Sequence, residues 1–455
     1  MRSKLWLAAL PAALTLALAP ASAPAFSGFY VAKADAGLFN QASKVVFARH
    51  DGKSVITMVN DYQGALQEFA LVVPVPSVLE RGQIHVTENA LVDHLDAYTA
   101  PRLVEYFDED PCRAPDELRA TTAARPAPPG EAAGAAAQGV TIEARYTVGE
   151  YDIVILSAEQ IQGLLAWLRK EGYRLPDGAG PVLAGYLAGG MKFFLAKVDL
   201  AEQSKLGYSY LRPLQIAFES EAFMLPIRLG TLNAAGPQEL FLFVLTRAGR
   251  VAAANYRTIG IPTDLDLPLF VEDEFGAFYS AMFDTLVTKE DMSAVFLEYA
   301  WDMSWCDPCA ADPLTFEELR ELGVFWILDQ MEAGGPMPPS PGVFAPEVFV
   351  TRLHLRYDAE RFPDDLHLRE SDDRGNFQGR YVLRHPWSGA ARCDAARDYL
   401  AGLPQRFEEE AQTLARLTRW PIEQIRSKME AGGQSFTPPD TAPDTREWWQ
   451  KLWPD

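Results

Sequence analysis

The chain has 455 residues, with Lys+Arg 41 against Asp+Glu 62, a formal net charge of −21 and 48% hydrophobic residues. That acidity argues against nucleic acid and anionic lipid as partners, since both demand a basic footprint. The hydrophobic content excludes a disordered chain, and the length allows two or three domains or one large domain with insertions.

At the N-terminus Arg2 and Lys4 form a basic n-region, Leu5 to Ala19 an apolar h-region, and small residues follow. This pattern predicts a secretory signal peptide over residues 1–25, cut after Ala23-Pro24-Ala25 so that the mature chain begins at Phe26. The expected location is periplasmic or extracellular. No later stretch approaches the roughly 20 apolar residues of a membrane helix, so no integral membrane segment is expected once the signal is removed.

Strands are predicted over Val45–His50, Ser54–Val59 and Glu68–Val75. Asp51-Gly52 joins the first two and is a strong hairpin signal. Pro74 and Pro76 end the third run or place it on a sheet edge. Gln83–Val86 adds a short strand and Asn89–Tyr98 a short helix. Residues 108–139 are rich in Ala, Pro and Gly and nearly devoid of large apolar side chains. Such a segment cannot bury enough surface to offset its ordering entropy, and it reads as a flexible insertion.

Thr141–Val148 and Tyr151–Leu156 read as a strand pair around Gly149-Glu150. Ser157 and Gln160 read as a capping box for a helix with Ile161, Leu164, Leu165 and Leu168 on one face. Pro181–Leu187 reads as a second helix, and Lys192–Val198, Leu214–Glu219, Met224–Leu229 and Glu239–Arg247 as strands. Antiparallel pairing is expected, because most connections lack a crossover helix. Phe270–Val287 is an amphipathic helix whose aromatic stripe reads as core packing. Val348–Tyr357 and Gly379–Arg384 are strands, and Pro404–Thr418 is a helix. The body is placed at residues 26–430, and residues 431–455 form a Pro- and Asp-rich tail with Trp448, Trp449 and Trp453. The fold class that follows is α+β, with largely antiparallel sheets and helices packed on one side, as one large unit carrying the flexible insertion.

The one pattern that looks like chemistry is Trp305-Cys306-Asp307-Pro308-Cys309. A Cys-x-x-Cys pair acts in thiol–disulfide exchange when its first thiolate sits at a helix N-terminus. Val295, Leu297, Tyr299 and Trp301 alternate as a strand ahead of it, as in thioredoxin-like enzymes. The likeness fails after Cys309. Pro313 pushes Asp312 out of the helical region, and Thr315 and Glu318 form the capping box of a separate helix. A structural pair is therefore expected. Four cysteines allow three pairings, of which Cys306–Cys309 with Cys112–Cys393 is favoured, because Cys112 and Cys393 each border an irregular region. Zinc normally wants a second such pair or nearby histidines, and there is no second Cys-x-x-Cys.

Among the six histidines none shows H-E-x-x-H spacing. Asp93-His94-Leu95-Asp96 reads as charge on a helix face, His385-Pro386-Trp387 as the close of a strand, and Asp372, Asp373 and Asn376 as a turn rather than a calcium loop. Neither G-x-S-x-G nor G-x-x-x-x-G-K-[ST] occurs, so hydrolase and nucleotide chemistry lack support.

GFYVAKADAGLFNQASKVV from Gly28, NDYQG at Asn60, FALVVPVP at Phe69, ERGQIHV at Glu80 and HLDAYTAPRLVEYFDEDPC ending at Cys112 resemble a bacterial family, domain of unknown function 2330. YTVGEYD at Tyr146, MKFFLAKV at Met191, LRPLQIAFES at Leu211, EYAWDMSWCDPCAADPL at Glu298 and FQGRYVLRHPW at Phe377 extend the likeness. The resemblance implies an exported bacterial protein with a matching cysteine framework, from which this chain departs at Ser27, where many relatives are expected to have a cysteine; one thiol of that framework is then absent, which leaves the Cys112–Cys393 pairing open, since either could have lost its usual partner. It implies no activity and carries no catalytic residue. The function expected is an exported, non-enzymatic protein that binds or scaffolds an unidentified partner. The alternative is a redox protein using Cys306 and Cys309. No catalytic residue, cofactor or metal is assigned.

Overall fold

A computed structural model of the chain describes residues 29–32, 39–40, 43–59, 62–63, 69–113, 142–158, 160–171, 173, 175–198, 211–233, 236–305, 307, 312–327 and 346–437. The expected signal peptide, residues 114–139 of the expected insertion, Cys306, Cys309 and the tail tryptophans lie outside these residues.

The fold is α+β, with seven α-helices and mostly antiparallel sheets among the described residues. The largest sheet has nine strands. It grows from the hairpin Ser43–His50/Lys53–Val59, whose turn places Asp51 at φ 47° and Gly52 at φ 72°. Those left-handed angles explain why Asp-Gly stands there. On one side lie Leu214–Glu219 and Ile84–Val86, and on the other Gln238–Thr246, Phe349–Tyr357, Ala294–Asp302 and Arg257–Gly260. The short Phe377–Gln378 pairs beside Ala294–Asp302. A five-stranded antiparallel sheet runs Phe29–Ala32, Phe69–Val75, Lys192–Val198, Tyr151–Leu156, Ile142–Val148.

Alternation along the strands sorts the core into layers. Val45, Phe47, Ile56 and Leu242 of the large sheet face Leu71, Val73, Ile153 and Phe194 of the smaller one. On the far side of the large sheet, Val46, Ala48, Phe243 and Val350 meet the helices Asn89–Thr99 and Phe316–Glu321. On the far side of the smaller sheet, Val72, Phe193 and Leu195 meet Ile161–Lys170 and Ala179–Ala188. Helices thus cover both outer faces, not one side. Each fully buried Val, Leu, Ile or Phe in these layers contributes about 1.5–3 kcal/mol. A separate lobe packs the helices Phe275–Lys289, Asp394–Thr418 and Ile422–Ala431 on a three-stranded parallel sheet, Leu265–Leu267/Arg380–His385/Arg102–Phe107.

Several boundaries differ from expectation for physical reasons. The strand Phe69–Val75 ends before Pro76 as expected, but it is interior, not an edge; its neighbour Phe29–Ala32 reaches only to Val72, which leaves the missing N–H of Pro74 harmless. Ser157 does not cap a helix: its hydroxyl donates to Glu143 at 2.8 Å, and the helix starts at Ile161 with no side-chain cap at Gln160. The run at Met224 is a strand only through Leu225, because Pro226 follows. The helix expected from Pro404 begins at Asp394 and carries Pro404 inside it.

Candidate functional site

Where the two large sheets splay apart, a cleft of about 310 Å³ opens among Ile56, Met58, Val73, Ile216, Phe218 and Leu225. The end of the helix Ala179–Ala188 closes one side and residues 220–228 the other. Three methionines line it, Met58, Met191 and Met224. Unbranched thioethers adapt to irregular apolar shapes, which suits a ligand surface. Pro76 and Pro226, which follow the ends of two neighbouring strands, and Pro74, paired within one of them, also line it.

The polar end of the cleft is built on Asp365, which is 5% exposed. Tyr186 donates its hydroxyl to Asp365 Oδ1 at 2.5 Å. Arg228 donates from its backbone N to Oδ1 at 3.2 Å, and from Nε and Nη2 to Oδ2 at 3.1 and 2.9 Å. The guanidinium also lies over the Tyr186 ring, 4.8 Å from its centroid. Burial, reinforced by the Asp365 charge, pushes the Tyr186 phenol far above its ordinary range, so it stays a donor. Burial alone would lower the Arg228 pKa, but Asp365 outweighs it and holds the guanidinium charged. The pair is neutral as a unit, and its carboxylate is fully used.

A second polar feature crosses the helix-covered face of the large sheet. Arg352, His354 and Arg356 alternate along one strand and point to the same face. Arg352 Nε donates to Glu298 at 2.6 Å, and His354 Nδ1 lies 2.7 Å from the other Glu298 oxygen. Tyr279 also donates to Glu298. Beyond Arg352 the chain of contacts runs to Asp96, then to Lys44 at 2.8 Å and Asp93 at 3.0 Å. Beyond His354 it runs to Glu239 at 3.7 Å, then Arg356, then Asp284 at 2.8 Å. The result is a ladder of alternating sign with both ends at the surface and a buried middle. His354 lies between Phe283 and Phe241, at 3.7 and 4.0 Å between ring centroids. Burial lowers its pKa, but Glu298 and Glu239 outweigh this and raise it. Burial would raise the Glu298 pKa; His354 and Arg352 instead bring it to about 2. None of the ladder residues lines the cleft described above.

The remaining residues singled out in the sequence take structural places. His94 lies 2.8 Å from Glu318 and 2.7 Å from the Asp312 carbonyl, while its neighbours Asp93 and Asp96 pair with Lys44. Asp373 accepts from the Gly375 N–H at 2.8 Å, a turn contact. The strand Ala294–Asp302 runs into the cysteine motif, and the next described helix begins only at Phe316, with both arms of the Thr315/Glu318 capping box formed. Asp307 accepts from Tyr299 at 3.0 Å and from Gln378 at 2.7 Å. Among the described residues no group of three or more His, Cys, Asp or Glu is placed to hold a metal.

A family model described as an uncharacterized protein conserved in bacteria matches residues 20–369. The chain belongs to that family, domain of unknown function 2330. The cleft and the ladder lie wholly within the part shared with the 2330 family. The strand Arg380–His385 and the last two helices lie beyond it, as does the FQGRYVLRHPW stretch. Cys112 is inside the shared part and Cys393 beyond it; their sulfurs stand 2.14 Å apart with Cα atoms at 6.0 Å, a pair geometrically able to form a disulfide. No curated protein matches the chain, and no solved structure does. Among the described residues no helix is long and apolar enough to cross a membrane.

Proposed function

We propose that this member of the 2330 family is an exported, non-enzymatic bacterial protein that binds a small amphipathic ligand in the cleft between its two large sheets. The observation that carries the reading is the cleft itself: apolar, methionine-lined walls that end on one oriented Arg–Asp–Tyr group. A concave apolar site with a few convergent polar groups is the common form of a small-molecule site. Export is supported by the signal-like residues 1–25 and by Cys112 and Cys393, since a disulfide persists in an oxidising compartment. Intact mass of the secreted chain should start at Phe26; a mature species that retains Met1 would count against export.

Binding is tested with Nile red, a neutral probe whose emission rises in apolar surroundings. Saturable binding at one site is expected. Met224→Trp, which fills the rim, should weaken it on the order of tenfold while the melting temperature holds. Binding that does not saturate, or that is indifferent to Met224→Trp, would remove the reading.

The redox alternative has less behind it. Asp307 follows Cys306 in the chain and is held in place by Tyr299 and Gln378. A fixed carboxylate beside a thiol disfavours the thiolate that exchange chemistry needs.

A further inference from the structure

Resting on the ligand-binding reading of the cleft, we infer that the ligand presents an uncharged carbonyl, that of an acyl amide or ester, to Arg228 and Ser220, and that carboxylate and phosphate head groups are excluded. An arginine in a pocket ordinarily suggests an anion. Here the positive charge is already matched. Asp365 takes Nε, Nη2 and the backbone N–H of Arg228, and Tyr186 fills its remaining capacity. A second anion at Arg228 would face the Asp365 carboxylate across the same guanidinium, in a chain of net charge −21.

Donors nevertheless remain. Among the described residues Arg228 Nη1 makes no hydrogen bond, although the side chain is only 29% exposed. Ser220 accepts from the Ala222 N–H at 3.1 Å, and its own hydroxyl hydrogen has no acceptor among the described residues. Both residues line the cleft. Two donors and no free charge match a carbonyl oxygen, with its two lone pairs and no formal charge. The rest of the cleft, from Val73 to Ile216 and Phe218, takes the acyl chain. The volume of about 310 Å³ is at the small end for ligand pockets and points to a medium chain rather than a long one.

The test uses the full mature chain and five probes that displace Nile red: octanamide, methyl octanoate, octanoate, octyl phosphate and butylbenzene. Octanamide and methyl octanoate are expected to bind at least about tenfold more tightly than octanoate and octyl phosphate at pH 7.5. Ser220→Ala, a substitution at a partly exposed loop position, should weaken octanamide several-fold and leave butylbenzene unchanged. If octanoate or octyl phosphate binds as well as octanamide, the inference about the head group is overturned while the cleft remains a binding site. If Ser220→Ala affects butylbenzene and octanamide alike, the donor role is overturned. If none of the five competes, butylbenzene included, the ligand-binding reading itself fails.

Discussion

Glu298 is completely buried and serves three partners, Arg352, His354 and Tyr279. A buried ion pair is weak grounds for stability in itself, but removing one member strands the others. Glu298→Gln keeps the shape and deletes the central charge, leaving Asp96 alone to balance Arg352 and Glu239 alone to balance His354. A loss of about 3–5 kcal/mol is expected, read from urea unfolding at pH 6. A loss below about 1 kcal/mol would show that the ladder is not a unit. The same residues set the pH limits. Glu298 and Glu239 fall from an ordinary 4.5 to about 2 when folded, so their contribution is present above pH 4.5 and is lost as pH falls toward 2. His354 is raised above its ordinary 6.5, so its contribution is complete below pH 6.5 and is lost as pH rises through the folded value. The ladder therefore contributes most between pH 4.5 and 6.5. The sequence marked Val348–Tyr357 as a strand, and Arg352, His354 and Arg356 alternate along one face of it. It did not reveal that this face is buried, because the matching charges come from Asp96, Glu239 and Glu298 on other segments.

Local turn chemistry made single elements legible. Asp51-Gly52, Gly149-Glu150 and the Thr315/Glu318 box each satisfy their own backbone demands within a few residues, and each stands where the sequence placed it. Gly323 shows where that legibility stops. It ends the helix Phe316–Glu321 with φ +93°, and Val324 N–H returns to the Leu319 carbonyl at 3.0 Å. A stop signal is all the sequence displays. A Cβ there would also meet Val55 Cβ at 2.5 Å, on the facing strand. Gly323→Ala should therefore cost on the order of 2–4 kcal/mol, the sum of left-handed strain and overpacking. Thermal unfolding checks this; a change under about 1 kcal/mol would mean the strand yields. The cleft was not legible at all. Its walls come from five separate segments, and no one of them carries a pattern of its own.

For the whole molecule, the α+β class followed from strand and helix periodicity, while the parallel pairings did not. Arg102–Phe107 and Arg380–His385 lie side by side across nearly the full length of the body, with nothing local to announce it. The Cys112–Cys393 pair stands at that junction, with a sequence separation of 281. If bonded, it removes loop-closure entropy worth on the order of 5 kcal/mol from the unfolded chain. Cys393→Ser should lower the melting temperature by several degrees, and dithiothreitol on the native chain, which also reaches Cys306 and Cys309, should lower it at least as far. An undiminished melting temperature in dithiothreitol, with free thiols confirmed by mass, would show that the lobe needs no tether.

The charge ladder has a consequence for descent. A member of a strictly alternating series cannot be replaced by a neutral or opposite residue without leaving a neighbour of the wrong sign in a water-poor layer. Arg352, His354, Glu298 and Glu239 should therefore be inherited as a set or lost as a set, with apolar residues entering together on three adjacent strands. Lineages caught between those two solutions should be rare, and the handful that exist should carry the exchange at the ladder's wet ends, Asp93 or Asp284, where a lone charge still meets solvent.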